Sequence, residues 1–250
     1  MKHCSVIVCH YSKTDDFNTE GIDRSEGMKQ SLESLFANTD YPAEIIICDN
    51  GGTPDDTDWL LQKVREKKID SLLRFKENMN FSFAWNQGAR IATGDYLCFT
   101  CNDIIYHEGW LSTCIELLEK YPERKLITSP YLTPDKNVFE YKRGELDGNR
   151  LNALAGSNCM IMRKEVWQEI GEFPHYRIGG SIWHRLMHSK GYLVILPPVD
   201  KANHIAWRQG VNWRKHVVVE RTLLNGEKVD FSYKTVRKSI FGGSQKKAGI

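Results

Sequence analysis

Short runs of apolar residues alternate with amphipathic stretches along most of the chain. Residues 5–9 (SVIVC) and 44–48 (EIIIC) are rich in β-branched side chains and predict buried strands. Between them, residues 27–38 carry apolar side chains at helical spacing, namely Met28, Leu32, Leu35 and Phe36. The alternation therefore predicts a succession of strand and helix units.

The same pattern continues downstream. Further helices are predicted over 55–68, 81–92, 110–121, 163–170 and 181–189, and further strands over 72–76, 96–99, 125–129, 158–162 and 192–196. This rhythm is typical of an α/β fold with a Rossmann-like, mostly parallel central sheet and helices on both faces. Residues 130–154 are polar and irregular, which predicts a loop or small hairpin over one edge of that sheet.

Three predicted strands run directly into polar residues. The sequences His-Tyr-Ser (10–12), Asp-Asn-Gly-Gly (49–52) and Asn-Asp (102–103) each follow such a strand. Because the carboxyl ends of parallel strands meet at one edge, where open α/β sheets bind ligands, we expect these groups to lie together.

Composition narrows the possible partners. The 250 residues include 34 basic and 32 acidic ones, a net charge of +2 that gives no general case for nucleic acid. Most of the seven cysteines lie in apolar runs, which indicates reduced core residues of a cytoplasmic protein; the Cys98–Cys101 spacing, with no second pair, favours the core over zinc. No apolar run has the length of a signal-peptide core or a membrane span.

The C-terminal segment differs from the rest of the chain. It is basic and lacks strong periodicity, so we divide the chain into a domain over 1–205 and an extension over 206–250. Trp207 and Trp213 are candidates for stacking on a sugar. The tail offers at most a peripheral contact with anionic lipid or a phosphorylated acceptor, although a solvated terminus is the simpler interpretation. Its basic residues are Arg214, Lys215, Arg237, Lys238, Lys246 and Lys247.

Two common phosphate-binding devices are missing from the sequence. The first strand is followed by HYSKTDD rather than a G-x-G-x-x-G turn, and no G-x-x-x-x-G-K-[ST] motif occurs. A divalent cation bound by a carboxylate at a strand end is another way to hold a diphosphate.

The order of the motifs resembles the family-2 glycosyltransferases of the GT-A fold. The resemblance runs from about residue 5 to 198 through SVIVCHYS, IIICDNGG, NMNFSFAWNQGARIATGDYLCFTCND and GSNCMIMRKEVWQEIGEF. It implies a metal-dependent transferase that uses Mn²⁺ or Mg²⁺ to bind a nucleoside-diphosphate sugar as donor. It also implies a glycan or glycolipid acceptor under assembly, as in polysaccharide biosynthesis.

The resemblance also assigns roles to residues. Asp103 stands where the family places its metal-binding carboxylate, and His204 could complete the metal shell. Residues for donor binding are His10, Tyr11, Asp49, Asn50, Asn86, Asn102 and Asp103, with Gly88 near the diphosphate. Structural interpretations stay open: Asp49 and Asp103 as turn residues, Asn86 on the polar face of a helix and His204 as a structural histidine.

Two departures from the family pattern bear on activity. Cys101 occupies a place where the family often has an acid or asparagine. The acidic pair that would deprotonate the acceptor hydroxyl is also absent after residue 172. Candidate catalytic groups are Asp103, Glu172 and His184, with His175 or Asp147 as further substitutes for the base.

Three alternatives stay open, and the first two of them follow from the missing acidic pair. The chain could be a transferase that retains anomeric configuration, which needs no such base. It could be a non-catalytic sugar-nucleotide-binding protein or partner subunit. A nucleotidyltransferase fits less well, because the segment after the first strand is not a glycine-rich basic loop.

Overall fold

Continuously apolar strands form the centre of the molecule, because both of their faces are covered. The computed structural model describes residues 1–12, 23–132, 142–152, 158–175, 179–205, 220–222 and 228–230. The chain forms two units, Met1–Arg208 and Gln209–Ile250. The first unit contains the α/β domain.

One large sheet runs through the first unit. Its strands are β1 (Cys4–His10), β2 (Ala43–Asp49), β3 (Ser71–Arg74), β4 (Tyr96–Cys101), β6 (Leu126–Thr128), β7 (Lys142–Leu146), β8 (Asn149–Asn152), β9 (Cys159–Arg163) and β10 (Leu193–Leu196). Within the described residues their order is β3-β2-β1-β4-β9-β6-β10-β8-β7, and β8 and β9 run against the others. The predicted mostly parallel sheet is therefore confirmed.

Helices cover both faces of the sheet, as predicted. They are α1 (Arg24–Asn38), α2 (Pro54–Arg65), α3 (Phe81–Ile91), α4 (Trp110–Lys120), α5 (Lys164–Ile170) and α6 (Gly179–Ser189). Because side chains of a strand alternate between faces, Val6 and Val8 pack with α1, α2 and α4. Ile7 and Cys9 enter the opposite core with α3, α5 and α6.

A second, two-stranded sheet lies beside the first. It pairs β5 (Ile104–Tyr106) with β11 (Ala202–His204) in antiparallel fashion. The other edge of β5 is satisfied by α1: Ser31 Oγ donates to Ile104 O over 2.7 Å, and Asn38 Nδ2 donates to Tyr106 O over 2.9 Å. Side chains of a helix thus replace a neighbouring strand, which leaves fewer backbone groups without partners.

The structure corrects two details of the predicted elements. β5 and β11 were not predicted, because three-residue strands carry too little periodicity and depend on a distant partner. The segment around 142–152 forms a hairpin that extends the sheet beside β10, instead of covering its carboxyl edge. In the second unit, whose sequence lacks strong periodicity, β12 (Glu220–Thr222) and β13 (Lys228–Asp230) form an antiparallel pair.

The close contact of α3 with the sheet depends on Gly88. A Cβ at this residue would lie 2.4 Å from Ile7 Cγ2 and 3.2 Å from Cys48 Sγ. We expect Gly88→Val to lower the free energy of unfolding by about 2 kcal/mol, since overpacking a core costs about 1–3 kcal/mol. Gly27→Val in α1 is the matched control, because a Cβ there meets no atom within 4 Å. Urea denaturation measures both variants, and equal stability would contradict the tight contact.

Candidate active site

The polar residues that end the central strands lie at one edge, as predicted. His10 is in register with Asp49 across β1 and β2, and Cys9 is in register with Cys101 across β1 and β4. The turn formed by Asn102 and Asp103 follows directly. This edge, formed by the carboxyl ends of β1, β2 and β4, is the candidate active site.

The centre of the edge is a buried carboxylate that sequence reasoning missed. Asp56, in the first turn of α2, has no exposed surface. Ser12 Oγ and Ser25 Oγ donate to its two oxygens, and His10 Nε2 lies 3.4 Å from Oδ2. Burial raises the pKa of Asp56, but the hydrogen bonds from His10, Ser12 and Ser25 outweigh burial and hold this pKa well below its usual range. The sequence signal was present, since Asp56 stands three residues after Thr53, the N-cap of α2, but it indicated only a helix start.

Asp49 and Asn50 shape the turn after β2. The two oxygens of Asp49 accept from Gly52 N and Thr57 Oγ1, both at 2.8 Å, and Arg74 Nε lies 3.8 Å away. Asn50 Oδ1 accepts from Met79 N at 2.9 Å. Both side chains are at most 1% exposed, so their polar atoms serve the turn and the loop that precedes α3.

Asp103 and His204 come together from distant parts of the chain. β11 places His204 opposite Ile104, and His204 Nε2 lies 3.1 Å from Asp103 Oδ2. Ile205 N donates to Asp103 O at 2.8 Å, which fixes the backbone of Asp103 from the same side. The other carboxylate oxygen, Oδ1, is buried and has no hydrogen-bond partner among the described residues.

Cys101, two residues before Asp103, is a neutral thiol. Burial first, and then the charge of Asp103, raise the pKa of Cys101 well above its usual range. Sulfur is also a softer donor than the oxygen of a carboxylate or an amide, and hard cations such as Mg²⁺ prefer oxygen ligands.

Asn86 and Glu172 belong to the contact between α3 and the segment after α5. Asn86 is fully buried, and its amide donates to Phe173 O and accepts from Phe173 N at 2.9 and 3.0 Å. His175 Nε2 lies 3.3 Å from the same amide. Glu172 is exposed and forms an ion pair of 2.7 Å with Arg90 at the end of α3.

The remaining candidates are dispersed. Tyr11 is half-buried at the active edge, and His184 is buried on α6. Asp147 lies at the β7–β8 turn, where it accepts from Tyr121 and pairs with Lys120. Trp207, Trp213 and the basic residues of the tail lie outside the described residues. The roles that the sequence suggested for all of these residues therefore stay predictions.

Comparison with known proteins adds the family. The model described as Glycosyl transferase family 2 matches residues 5–186. The chain belongs to glycosyltransferase family 2. This confirms the resemblance from which the site residues were chosen.

Sequence relatives of this family-2 chain share part of its length. A Haloferax volcanii protein named glucosyl-dolichyl phosphate glucuronosyltransferase is 26% identical over 123 residues, covering 48% of this chain and 35% of its own. A Drosophila melanogaster protein named putative polypeptide N-acetylgalactosaminyltransferase 13 is 31% identical over 128 residues, covering 46% and 22%. The chain thus spans well under half of either relative.

Solved structures show the same fold. A mannosyltransferase from Pyrobaculum calidifontis, PcManGT, in complex with GDP-Man and Mn²⁺, is similar with a TM-score of 0.64 at 16% identity, over 84% of this chain and 59% of that one. S. aureus TarS 1-349 is similar with a TM-score of 0.57 at 15% identity, over 79% and 58%. The predicted GT-A fold is confirmed.

Two features are absent from the part of this family-2 chain that the structure describes. No helix there is long and apolar enough to cross a bilayer. No group of three or more His, Cys, Asp or Glu residues there is placed to hold a metal ion.

The depressed pKa of Asp56 predicts a dependence of stability on acid. Its stabilising contribution is complete above the usual carboxyl pKa of about 3.9 and is lost as the pH falls below that value. We expect Asp56→Asn to lower the free energy of unfolding by about 3 kcal/mol at neutral pH. The difference from wild type should shrink as the pH falls below about 4.

Asp55→Asn is the control for this prediction, because Asp55 is an exposed neighbour in the same helix turn. Urea unfolding of the three proteins at several pH values makes the measurement. A difference between Asp56→Asn and wild type that stays constant into acid would show that Asp56 is not held as the anion.

Proposed function

We propose that the chain transfers a sugar from a nucleoside-diphosphate sugar to a glycan or glycolipid, with Mn²⁺ or Mg²⁺ held by Asp103 and His204. One observation carries the proposal: a buried carboxylate oxygen of Asp103 without a hydrogen-bond partner among the described residues, next to an imidazole nitrogen, at the active edge. A buried anionic oxygen is costly unless a cation or a donor satisfies it.

The donor set fits a divalent cation. Carboxylate oxygen is the preferred ligand of Mg²⁺ and Mn²⁺, and imidazole nitrogen also binds Mn²⁺. Two protein ligands leave room in the shell for water and for the oxygens of a diphosphate. The GDP-Man and Mn²⁺ bound by the similar Pyrobaculum mannosyltransferase support this interpretation.

The mechanism follows from what the residues at the edge can do. When bound, the cation would neutralise charge on the departing diphosphate. Asp103 and His204 would hold it, while the acceptor hydroxyl attacks the anomeric carbon. Asn102 and Tyr11 keep accessible surface at the edge, and we assign them to direct contact with the donor. Asp49, Asn50 and Asn86 would act by shaping the surrounding turns, since their side chains are buried.

Two residues are candidates for the base that accepts the proton of the acceptor hydroxyl, Glu172 and His184. Glu172 remains a candidate if its ion pair with Arg90 opens, and its exposure would allow contact with an acceptor. His184 would first have to leave its buried position on α6.

The names of the two sequence relatives differ in acceptor, one a glucosyl-dolichyl phosphate and the other a polypeptide. The acceptor class proposed for this chain and its cytoplasmic location rest on the sequence arguments.

A thermal-shift screen tests the donor and the cation together. UDP-, GDP-, dTDP- and CMP-sugars are added with and without Mn²⁺. At a concentration of about 100 times Kd the correct donor should raise Tm by about 5–10 °C, and this shift should require Mn²⁺. If no donor shifts Tm with Mn²⁺ present, the proposed function fails. A shift without turnover on any acceptor would favour the non-catalytic binding protein.

Asp103→Asn isolates the metal site. We expect the variant to keep the wild-type Tm without ligand and to lose the Mn²⁺-dependent shift. Donor hydrolysis or transfer should fall about 100-fold or more, because charge stabilisation of the leaving group is lost. Glu108→Gln, an exposed acid in the same chain segment, is the control and should behave as wild type. Unchanged turnover in Asp103→Asn would remove Asp103 from the mechanism.

A further inference from the structure

The imidazole of His10 lies between the buried carboxylate and the proposed metal site. His10 is fully buried at the end of β1, and both of its ring nitrogens have side-chain neighbours. We propose that His10 is a positioning residue: it links the fixed Asp56 carboxylate to Asn102 and thereby holds the turn that presents Asp103. The inference deepens the proposed function, on which its metal-binding part rests.

The hydrogen-bond geometry satisfies one tautomer of the ring. Asn102 Nδ2 lies 2.9 Å from His10 Nδ1, and this amide nitrogen can only donate. Nδ1 is then the acceptor, so the ring proton resides on Nε2. This proton faces Asp56 Oδ2 and Ser12 Oγ, each 3.4 Å from Nε2. The imidazole therefore joins a donor on one side to a carboxylate on the other.

The ring has little freedom to move. Asp56 is held by hydroxyls from two further segments, Ser12 and Ser25, and its backbone N–H donates to Thr53 Oγ1 at 3.3 Å. Gly52 also lies close to the ring, since an added Cβ there would be only 2.5 Å from His10 Nε2. The imidazole is consequently enclosed by packing as well as by hydrogen bonds.

Asn102 transmits this constraint to the adjacent carboxylate. It precedes Asp103 in the short turn between β4 and β5, and its side chain bonds to His10. From the opposite side, Ile205 N donates to Asp103 O. The turn is thus held at two points, by His10 on one side and by β11 on the other. Residues that orient a metal ligand in this way typically change metal affinity about 10–100-fold when they are replaced.

Direct contact of His10 with a nucleotide is the competing role. The imidazole has no exposed surface, and both nitrogens are engaged by neighbouring side chains. A ligand at the edge therefore meets Asn102, and the influence of His10 on the ligand passes through that amide.

Two substitutions test separately the contact of His10 with Asp56 and the contact of His10 with Asn102. His10→Gln places an amide nitrogen near the position of Nε2, so it can donate to Asp56 but has no group for Asn102. His10→Asn places an amide near Nδ1, so it can accept from Asn102 but leaves Asp56 without its imidazole. Three properties are measured for wild type and both variants: Tm, hydrogen exchange of residues 101–105 without metal, and Mn²⁺ affinity by electron paramagnetic resonance with GDP or UDP present.

We expect the variants to differ in opposite directions. His10→Gln should keep Tm within about 3 °C of wild type, yet speed exchange of 101–105 and weaken Mn²⁺ affinity, each about tenfold. His10→Asn should lower Tm by about 6–12 °C, because the buried carboxylate of Asp56 loses the donor that His10 supplies. The same variant should keep Mn²⁺ affinity within about threefold of wild type.

Two results would overturn the inference. One is hydrogen exchange of residues 101–105 in His10→Gln at the same rate as in wild type. The other is faster exchange in both variants in proportion to their loss of Tm, which would show a purely structural histidine. The exchange measurement needs no metal, so it judges the positioning role even if wild type binds no Mn²⁺. A wild type that binds no Mn²⁺ would overturn only the proposed function and the metal-binding part of the inference.

Discussion

An ionised carboxylate without contact to water, that of Asp56, is the constraint around which the active edge is built. Removing such a charge from water is expensive, and the cost is offset only by well-placed donors. The donors come from the end of β1, from the segment after it and from the start of α1. Three chain segments therefore have their positions fixed relative to α2 by one side chain.

The proposed cation site consists of fewer side chains than the cluster around Asp56. One carboxylate and one imidazole provide its protein ligands, and both belong to the two-stranded sheet of β5 and β11 or to the turn before it. That sheet is fastened to the domain through the serine and asparagine side chains of α1. The ligands are therefore positioned by hydrogen bonds from neighbouring elements, and not by the main sheet alone.

Much of the fold was predictable because its strands and helices have strong periodicity. The runs at 5–9, 44–48 and 96–99 became β1, β2 and β4, and their common polar edge followed from parallel pairing. β5 and β11 escaped prediction because three residues show no period and their partner is distant in sequence.

The candidate site was less predictable from the sequence. Asp56 is indistinguishable from an ordinary acid at a helix start until the fold brings His10, Ser12 and Ser25 to it. Asn86, with its place in a family motif, suggested donor contact, whereas its amide is committed to the backbone of Phe173. Burial and hydrogen-bond partners depend on tertiary structure, so a motif alone could not supply them.

The narrow space between His10 and Gly52 has an evolutionary consequence. A Cβ at residue 52 would overlap the imidazole, at 2.5 Å from Nε2 and 2.8 Å from Asp49 Oδ1. The two positions are therefore complementary in size and should change together among relatives. Homologues with a side chain at the position of Gly52 are expected to carry a smaller residue at the position of His10, and with it a different way of satisfying the acid at position 56.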